Sequence, residues 1–270
     1  MRRFLLTCLG LFAAACACGA ADSRPATPEE VALFKDAIKN SSQDTEHWAY
    51  TETTTVQTNK GKPEGDTVVR FDPSKPYAEQ FTPLQIEGKL PTERQLKKYR
   101  RQGEERGRDR ARKAERRGSV EGGGPQLVIN DSKARLDLEH PRVMAEEPDR
   151  ITFEAPLVTQ DRDLPVDKFQ ILAEVDRTAR QIKRAHFRIL QAFRMKVIAK
   201  IKSGDATLDF AVVDPGFGPV ITSMRGDFGA SFMLIPVKAT FTNTRTDWQR
   251  VKPFDERFNV KLDPLQFPGF

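Results

Sequence analysis

The residue types that most often do chemistry in proteins are scattered along this sequence without catalytic spacing. The three histidines, His47, His140 and His186, are far apart and fall in segments of strand or loop character. The sequence contains no HExxH motif, no mixed histidine and cysteine cluster for metal, and no G-x-S-x-G elbow leading into a helix. We therefore predict no catalytic residue, no metal site, no cofactor and no enzymatic activity.

All three cysteines, Cys8, Cys16 and Cys18, lie within the first 18 residues, so the remainder of the chain cannot form a disulfide. Two arginines follow the initiator methionine, residues 4–17 are apolar, and small residues come next. This order is typical of a secretory signal peptide, and its apolar part is short for a membrane-spanning helix. We predict a signal peptide over residues 1–21 and export to the periplasm.

Two fates of this segment are compatible with the sequence. Cleavage near Ala20 or Ala21 would release a soluble protein. Alternatively, residues 13–16 (Ala-Ala-Ala-Cys) resemble a bacterial lipobox, in which Cys16 or, less well, Cys18 would carry the lipid. The second fate would anchor the protein to the outer membrane.

The longest regular pattern is an alternation of apolar and polar residues between Phe169 and Trp248. A period of two places successive side chains on opposite faces of a strand, so this stretch predicts an antiparallel sheet with one apolar face. Continuous alternation predicts one long bent strand from Ala185 to Ile201, and residues 203–205 (Ser-Gly-Asp) predict a hairpin turn. The residues predicted to line the apolar face are Phe169, Ile171, Phe187, Ile189, Phe193, Met195, Val197 and Phe210.

A helix is predicted before the first strand. Thr27 suits the N-cap position, Pro28 the first helical position, and Glu30 can complete a capping box. Val31, Phe34, Ala37 and Ile38 then recur at helical spacing. We predict a helix of about 13 residues packed on the sheet, covering about 20 Å of it. A sheet of about ten strands is more than about 40 Å wide at about 4.8 Å per strand. Unless the sheet curls, part of its apolar face therefore stays uncovered and available to a hydrophobic ligand.

Residues 88–124 differ in composition from the rest of the chain. Between Arg94 and Arg117 there are 12 Lys or Arg residues against 4 Asp or Glu, whereas the whole chain has a formal net charge of +6. We predict an exposed helix or a disordered insertion, because the segment offers little apolar surface to bury. Its function would be contact with an anionic membrane or envelope surface, and the alternative is a solvated insertion without a partner. We expect no nucleic-acid partner for an exported chain.

The polar faces of the same strands carry many cations, which predict either an anion-binding surface or the solvated side of the sheet. These cations are Arg180, Arg184, Arg188, Arg194, Lys196, Lys200 and Lys202. Three segments after the insertion, residues 126–130, 134–138 and 151–157, alternate in the same way. We predict that they resume the same sheet.

Several segments resemble the LolA/LolB/RseB superfamily of periplasmic lipoprotein carriers. These are residues 174–178 (Glu-Val-Asp-Arg-Thr), residues 209–214 before a Gly/Pro turn, and the closing residues 247–250 (Asp-Trp-Gln-Arg). The resemblance implies a half-open β-barrel lidded by helices, whose concave apolar face holds acyl chains without catalysis. It assigns no individual binding residue.

Together these observations predict a mainly β (α+β) fold, with a single β-rich domain over residues 28–270. We hypothesise an exported cell-envelope protein that binds a lipid, a lipoprotein or another hydrophobic ligand on a curved sheet. The alternative is a structural or scaffolding envelope protein whose arginine-rich insertion contacts anionic surfaces.

Overall fold

The computed structural model describes residues 23–41, 47–59, 65–117, 126–129, 132–159, 165–195, 199–232 and 235–254. The predicted signal peptide, with Cys16 and Cys18, and the predicted face residue Val197 lie outside these ranges. The described helices are α1 (Pro28–Ser41) and α2 (Glu93–Arg117). The described strands are β1 (Arg24–Pro25), β2 (Trp48–Thr58), β3 (Thr67–Phe71), β4 (Phe81–Ile86), β5 (Gln126–Ile129), β6 (Ser132–Leu136), β7 (Arg142–Glu146), β8 (Arg150–Glu154), β9 (Leu157–Thr159), β10 (Phe169–Asp176), β11 (Gln181–Ile189), β12 (Phe193–Met195), β13 (Ala199–Ala211), β14 (Val220–Phe232) and β15 (Ile235–Arg250).

These strands form two antiparallel sheets. The large sheet has 12 strands in the order β1-β7-β8-β10-β11-β13-β14-β15-β2-β3-β4, with β12 paired to β13, and the small sheet has the order β5-β6-β9. In the described part of the chain β1 and β4 are the two ends of the large sheet, which therefore does not close on itself. The predicted fold class, a mainly β chain built on one large antiparallel sheet after an N-terminal helix, is confirmed.

Helix α1 begins at the capping box that the sequence predicts. The Thr27 amide donates to Glu30 Oε2 at 2.8 Å, and the Glu30 amide donates to Thr27 Oγ1 at 3.4 Å. The helix runs for 14 residues and buries Leu33, Phe34 and Ala37 against the sheet. An amphipathic stripe of this kind stabilises a short helix mainly through packing on its partner.

An ion pair ties the start of α1 to the strand before it, and it predicts a pH dependence of stability. Arg24 Nη2 lies 2.7 Å from Glu30 Oε1, and this hydrogen bond lowers the pKa of Glu30 from 4.5 to about 2. A carboxyl group whose pKa is lower in the folded state stabilises the fold above its unfolded pKa. That contribution is expected to disappear as the pH falls from about 4.5 to about 2.

The Glu30→Gln variant should therefore lose less stability than the wild type over this acid window. Urea denaturation at the two ends of the window measures the difference in the free energy of unfolding for each protein. Identical pH dependences for wild type and variant would show that the ion pair does not contribute to stability.

The predicted long strand from Ala185 to Ile201 is wrong. Strand β11 ends at Ile189, the Leu190 amide donates to the Lys168 carbonyl at 2.8 Å, and the chain re-enters the sheet as β12 and β13. Phe193 in β12 then pairs with Ile201 in β13. Both side chains return to the same face, so the alternation continues in the sequence although the strand does not.

The hairpin turn predicted at residues 203–205 is also wrong, because these residues lie inside β13. Gly204 pairs with Phe228 of β14, and Asp205 pairs with Asp227. The glycine serves packing instead of a turn: a Cβ atom at residue 204 would lie 2.7 Å from Ile189 Cδ1. Glycine is needed at this position because the Ile189 side chain packs directly against the backbone of residue 204.

The three segments after the insertion do not all resume the large sheet. Only β8 joins it, next to β7, a strand that the sequence pattern does not indicate. Strands β5, β6 and β9 leave to form the small sheet. Alternation shows that a segment is a strand with one apolar face, but it does not identify the strand with which it pairs.

Candidate ligand-binding face

One face of the large sheet is apolar from β10 across to β2. In register, neighbouring strands place apolar or small side chains side by side, so that one row crosses six strands. This row consists of Ile171, Phe187, Ala206, Gly226, Phe241 and Val56. We call this side of the sheet the apolar face, and its residues lie on it because alternate residues of a strand share one side.

Helix α1 covers the first part of the apolar face. Phe34 and Ala37 are 0% exposed, and the Phe34 ring centroid lies 5.0 Å from that of Phe153 in β8. The same cluster includes Ala173 and Val175 of β10 and Ile182 of β11, and Phe210 packs at its edge. This part of the face is hydrophobic core, as the sequence predicts for the helix stripe.

The small sheet covers a second part. Ala134 of β6 is 1% exposed and packs with Phe169, Phe193 and Ile201 of the large sheet. The ring centroids of Phe169 and Phe193 are 5.2 Å apart. Strands β6 and β9, through Ala134 and Leu157, thus supply cover that one helix cannot provide.

Aromatic side chains and α2 cover the far end of the sheet. Tyr50 of β2 lies 5.1 Å from Phe71 of β3, and Phe71 lies 4.7 Å from Phe81 of β4 (ring centroids). Trp248 stacks 4.9 Å from Tyr50, and the Arg106 guanidinium of α2 lies 3.9 Å above Phe81. These contacts close the apolar face at β2–β4.

Between the covered regions, a stretch over β14, β15 and β2 is open among the described residues. Its most exposed side chains are Phe228 at 38%, Val237 at 40% and Ile235 at 66%, and the others are half-buried. The Phe241 ring lies over Gly226, where a Cβ atom would come within 2.9 Å of it. We call this stretch the open strip, and it consists of Val56, Met224, Phe228, Ile235, Val237 and Phe241.

The residues that the sequence predicted for the ligand site occupy the neighbouring part of the apolar face, where two of them are buried and four are half-buried. Phe169 and Phe193 are 9% and 7% exposed and belong to the second cluster. Ile171, Phe187, Ile189 and Phe210 are half-buried. The side chain of Met195 and all of Val197 lie outside the described residues, and the ligand-binding role of the whole set remains a prediction.

Sequence reasoning missed the open strip as a site. The signal was the alternation of Val237, Ala239 and Phe241, which predicts a strand but does not reveal which strands remain uncovered. Strand β15 runs for 16 residues and pairs with β14 and β2 along most of that length. Its exposure depends on where the small sheet and both helices end, and this is a property of the tertiary structure.

The opposite face of the sheet is polar, and three of the seven predicted cations, Arg180, Arg184 and Arg188, form ion pairs. Arg184 Nε donates to Asp209 Oδ1 at 2.7 Å, while His186 Nε2 lies 2.7 Å from Asp205 Oδ1. Burial alone would raise the pKa of Asp205, but the hydrogen bonds from His186 and Arg188 outweigh it and lower the pKa. Around β11 and β13 this is the arrangement of a solvated sheet face with internal charge compensation.

No protein-family model matches the chain, and no curated protein matches it either. Among solved structures, the crystal structure of the LolA superfamily protein NE2245 from Nitrosomonas europaea is similar. It is 10% identical, the match covers 85% of this chain and 96% of that chain, and the TM-score is 0.35. So loose a superposition supports no conclusion about a ligand, and the site rests on the register and exposure described above.

Within the described ranges, no helix combines the length and apolar character needed to cross a bilayer.

Proposed function

We propose that the protein is an exported, non-enzymatic binder of an acyl chain, carried by a lipid or a lipoprotein, and that the chain lies on the open strip. The observation that carries this proposal is the exposure of Phe228, Ile235 and Val237 between two covered parts of one apolar face. A continuous apolar surface of this kind is unusual in a monomer and typical of a hydrophobic binding site.

Burial energetics favour an extended, apolar ligand over a compact polar one. Covering apolar surface contributes about 25 cal/mol per Å² removed from water. The strip crosses three neighbouring strands, which are about 4.8 Å apart, and on β15 it runs from Ile235 to Phe241, about 20 Å at about 3.4 Å per residue. An elongated apolar surface of this kind suits an extended chain of methylene groups. Ala239, a small residue in its rows, lets such a chain approach the backbone.

The N-terminal sequence supports the location that this function requires. A signal peptide over residues 1–21 would deliver the chain to the periplasm, where acyl chains need a protein to cross water. A lipidated Cys16 or Cys18 would hold the binder at the outer membrane, and cleavage without lipidation would make it a soluble carrier.

Titration with a fluorescent fatty acid tests the proposal. The purified exported protein, extracted to remove co-purified lipid, is expected to bind the probe saturably with one-to-one stoichiometry. Native mass spectrometry of the unextracted protein should show a mass increment that extraction removes. No saturable binding, together with no co-purified lipid, would overturn the proposal.

A further inference from the structure

Helix α2 is docked on the protein and is not a free arm. Gly103 and Gly107, four residues apart and therefore on one side of the helix, are buried against Tyr77. A Cβ atom at residue 103 would lie 2.2 Å from the Tyr77 carbonyl oxygen, and one at residue 107 would lie 2.5 Å from the Tyr77 ring. Glycine costs about 1 kcal/mol relative to alanine inside a helix, and here it permits close packing.

A third contact fixes the rotation of the helix about its axis. The Arg106 guanidinium lies 3.9 Å above the Phe81 ring of β4. Arg106 therefore points inward with the two glycines. The side chains on the opposite side of α2 must point away from the protein.

That outward side is strongly cationic. Arg101 is 73% exposed and is paired with Glu105 at 3.8 Å, and none of the other four cations forms an ion pair within the described part of the chain. Separations of three, four and seven residues between them align these cations along one side of the helix. The outward cations are Arg94, Lys97, Lys98, Arg101 and Arg108, all exposed.

An exposed apolar side chain stands at the N-terminal end of this row. Leu90 is 86% exposed. It follows a tight turn in which Glu87 and Gly88 have φ values of 52° and 75°, closed by hydrogen bonds between Ile86 and Lys89. It precedes the cap of α2, where the Thr92 amide donates to Gln95 Oε1 at 2.8 Å. Leu90 is therefore exposed to solvent between a hydrogen-bonded turn and the N-cap of α2.

We propose that Leu90 and the outward side of α2 form a docking surface for an anionic lipid bilayer. The cations would lie at the phosphate level, and Leu90 would enter the boundary between head groups and acyl chains. This surface is separate from the open strip, so it can be correct or wrong independently of the proposed ligand.

Charge and shape favour a bilayer as the partner over a nucleic acid. Each Lys or Arg near an anionic membrane contributes about 1 kcal/mol to membrane binding, and the helix aligns these cations along one side. An apolar side chain at the end of the row adds burial in lipid, whereas it adds nothing to phosphate contacts along a nucleic-acid backbone.

Vesicle sedimentation tests the proposal with the purified exported protein. It is expected to bind phosphatidylcholine vesicles that contain phosphatidylglycerol, and to be released at about 1 M salt, where the Debye length is about 3 Å. The Lys97→Glu/Arg101→Glu variant should bind about 30-fold more weakly, and Leu90→Ser should also weaken binding. The matched control, Lys200→Glu/Lys238→Glu, has the same net charge but alters exposed cations on β13 and β15, and it should bind like the wild type.

Three outcomes would overturn the proposal. They are equal binding to neutral and anionic vesicles, equal loss in the control and the α2 variant, and binding to duplex RNA without binding to anionic vesicles. Circular dichroism of each variant distinguishes lost contact from lost folding. A variant of α2 that fails to fold is replaced by Lys98→Gln/Arg108→Gln, which removes two outward cations and keeps helix-forming residues.

Discussion

Replacing Phe34 with alanine is expected to lower the free energy of unfolding by about 3–5 kcal/mol. Phe34 is 0% exposed and stacks on Phe153, which is also fully buried, between α1 and the large sheet. Alanine removes the ring contacts and leaves a cavity that the two elements cannot close without moving. Urea denaturation followed by tryptophan fluorescence measures the change.

The control for this prediction is a phenylalanine on the same face that is not covered. Phe228 is 38% exposed, so Phe228→Ala should cost much less stability than Phe34→Ala. Phe34→Leu should fall between Phe34→Ala and the wild type, because it restores part of the volume. If Phe34→Ala and Phe228→Ala had equal stabilities, α1 would not pack as the structure places it.

Placing two carboxylates on the open strip is expected to abolish ligand binding. In Phe228→Glu/Val237→Glu, each substitution removes an apolar contact worth about 1.5–3 kcal/mol when fully covered, and adds a charge that the ligand would have to desolvate. We expect affinity for the fatty acid probe to fall by about 100-fold or more. Both side chains are at least 38% exposed, so the fold should survive.

The same charge change on the polar face provides the matched control. Thr242 and Thr244 lie in β15 with Val237, but they are exposed on the opposite side of the sheet. Thr242→Glu/Thr244→Glu should therefore bind the probe like the wild type. Equal losses in the two double variants would mean that net charge, and not the open strip, governs binding.

The sequence was sufficient to predict local structure wherever the cause is local. The capping box at Thr27 and Glu30 and the alternation within β10 and β11 depend on residues close together in the chain. The turn after Asp176 is closed by its own carboxylate, which accepts hydrogen bonds from the amides of Thr178 and Ala179. Such features can be inferred from spacing and residue type alone.

The wrong predictions have one physical origin. The alternation of apolar and polar residues does not encode which strands pair with each other. Gly204 is typical of a turn, but it pairs with Phe228 of β14 inside a strand and packs against Ile189. Phe193 continues the alternation of β11 but belongs to another strand. The packing of Gly103 and Gly107 of α2 against Tyr77 is likewise a tertiary contact that the sequence pattern does not indicate.

The candidate site also combines features that the sequence predicts with features that only the tertiary structure shows. The sequence predicted a large apolar face and too little helix to cover it, and the structure has both. The sequence could not show that the small sheet and the aromatic side chains beside α2 cover the apolar face on either side of the open strip. For this reason the predicted residues Phe169 and Phe193 are core, and Phe228 and Val237 are exposed.

Photo-crosslinking with a diazirine-labelled fatty acid tests the open strip most directly. The purified protein is irradiated with the bound probe, digested and mapped by mass spectrometry. We predict crosslinks concentrated in β14, β15 and the end of β2, at or next to Phe228, Val237, Phe241 and Val56, and suppressed by unlabelled fatty acid. Crosslinks confined to α2 or to the polar face, or unaffected by the competitor, would contradict an acyl-binding role for this face.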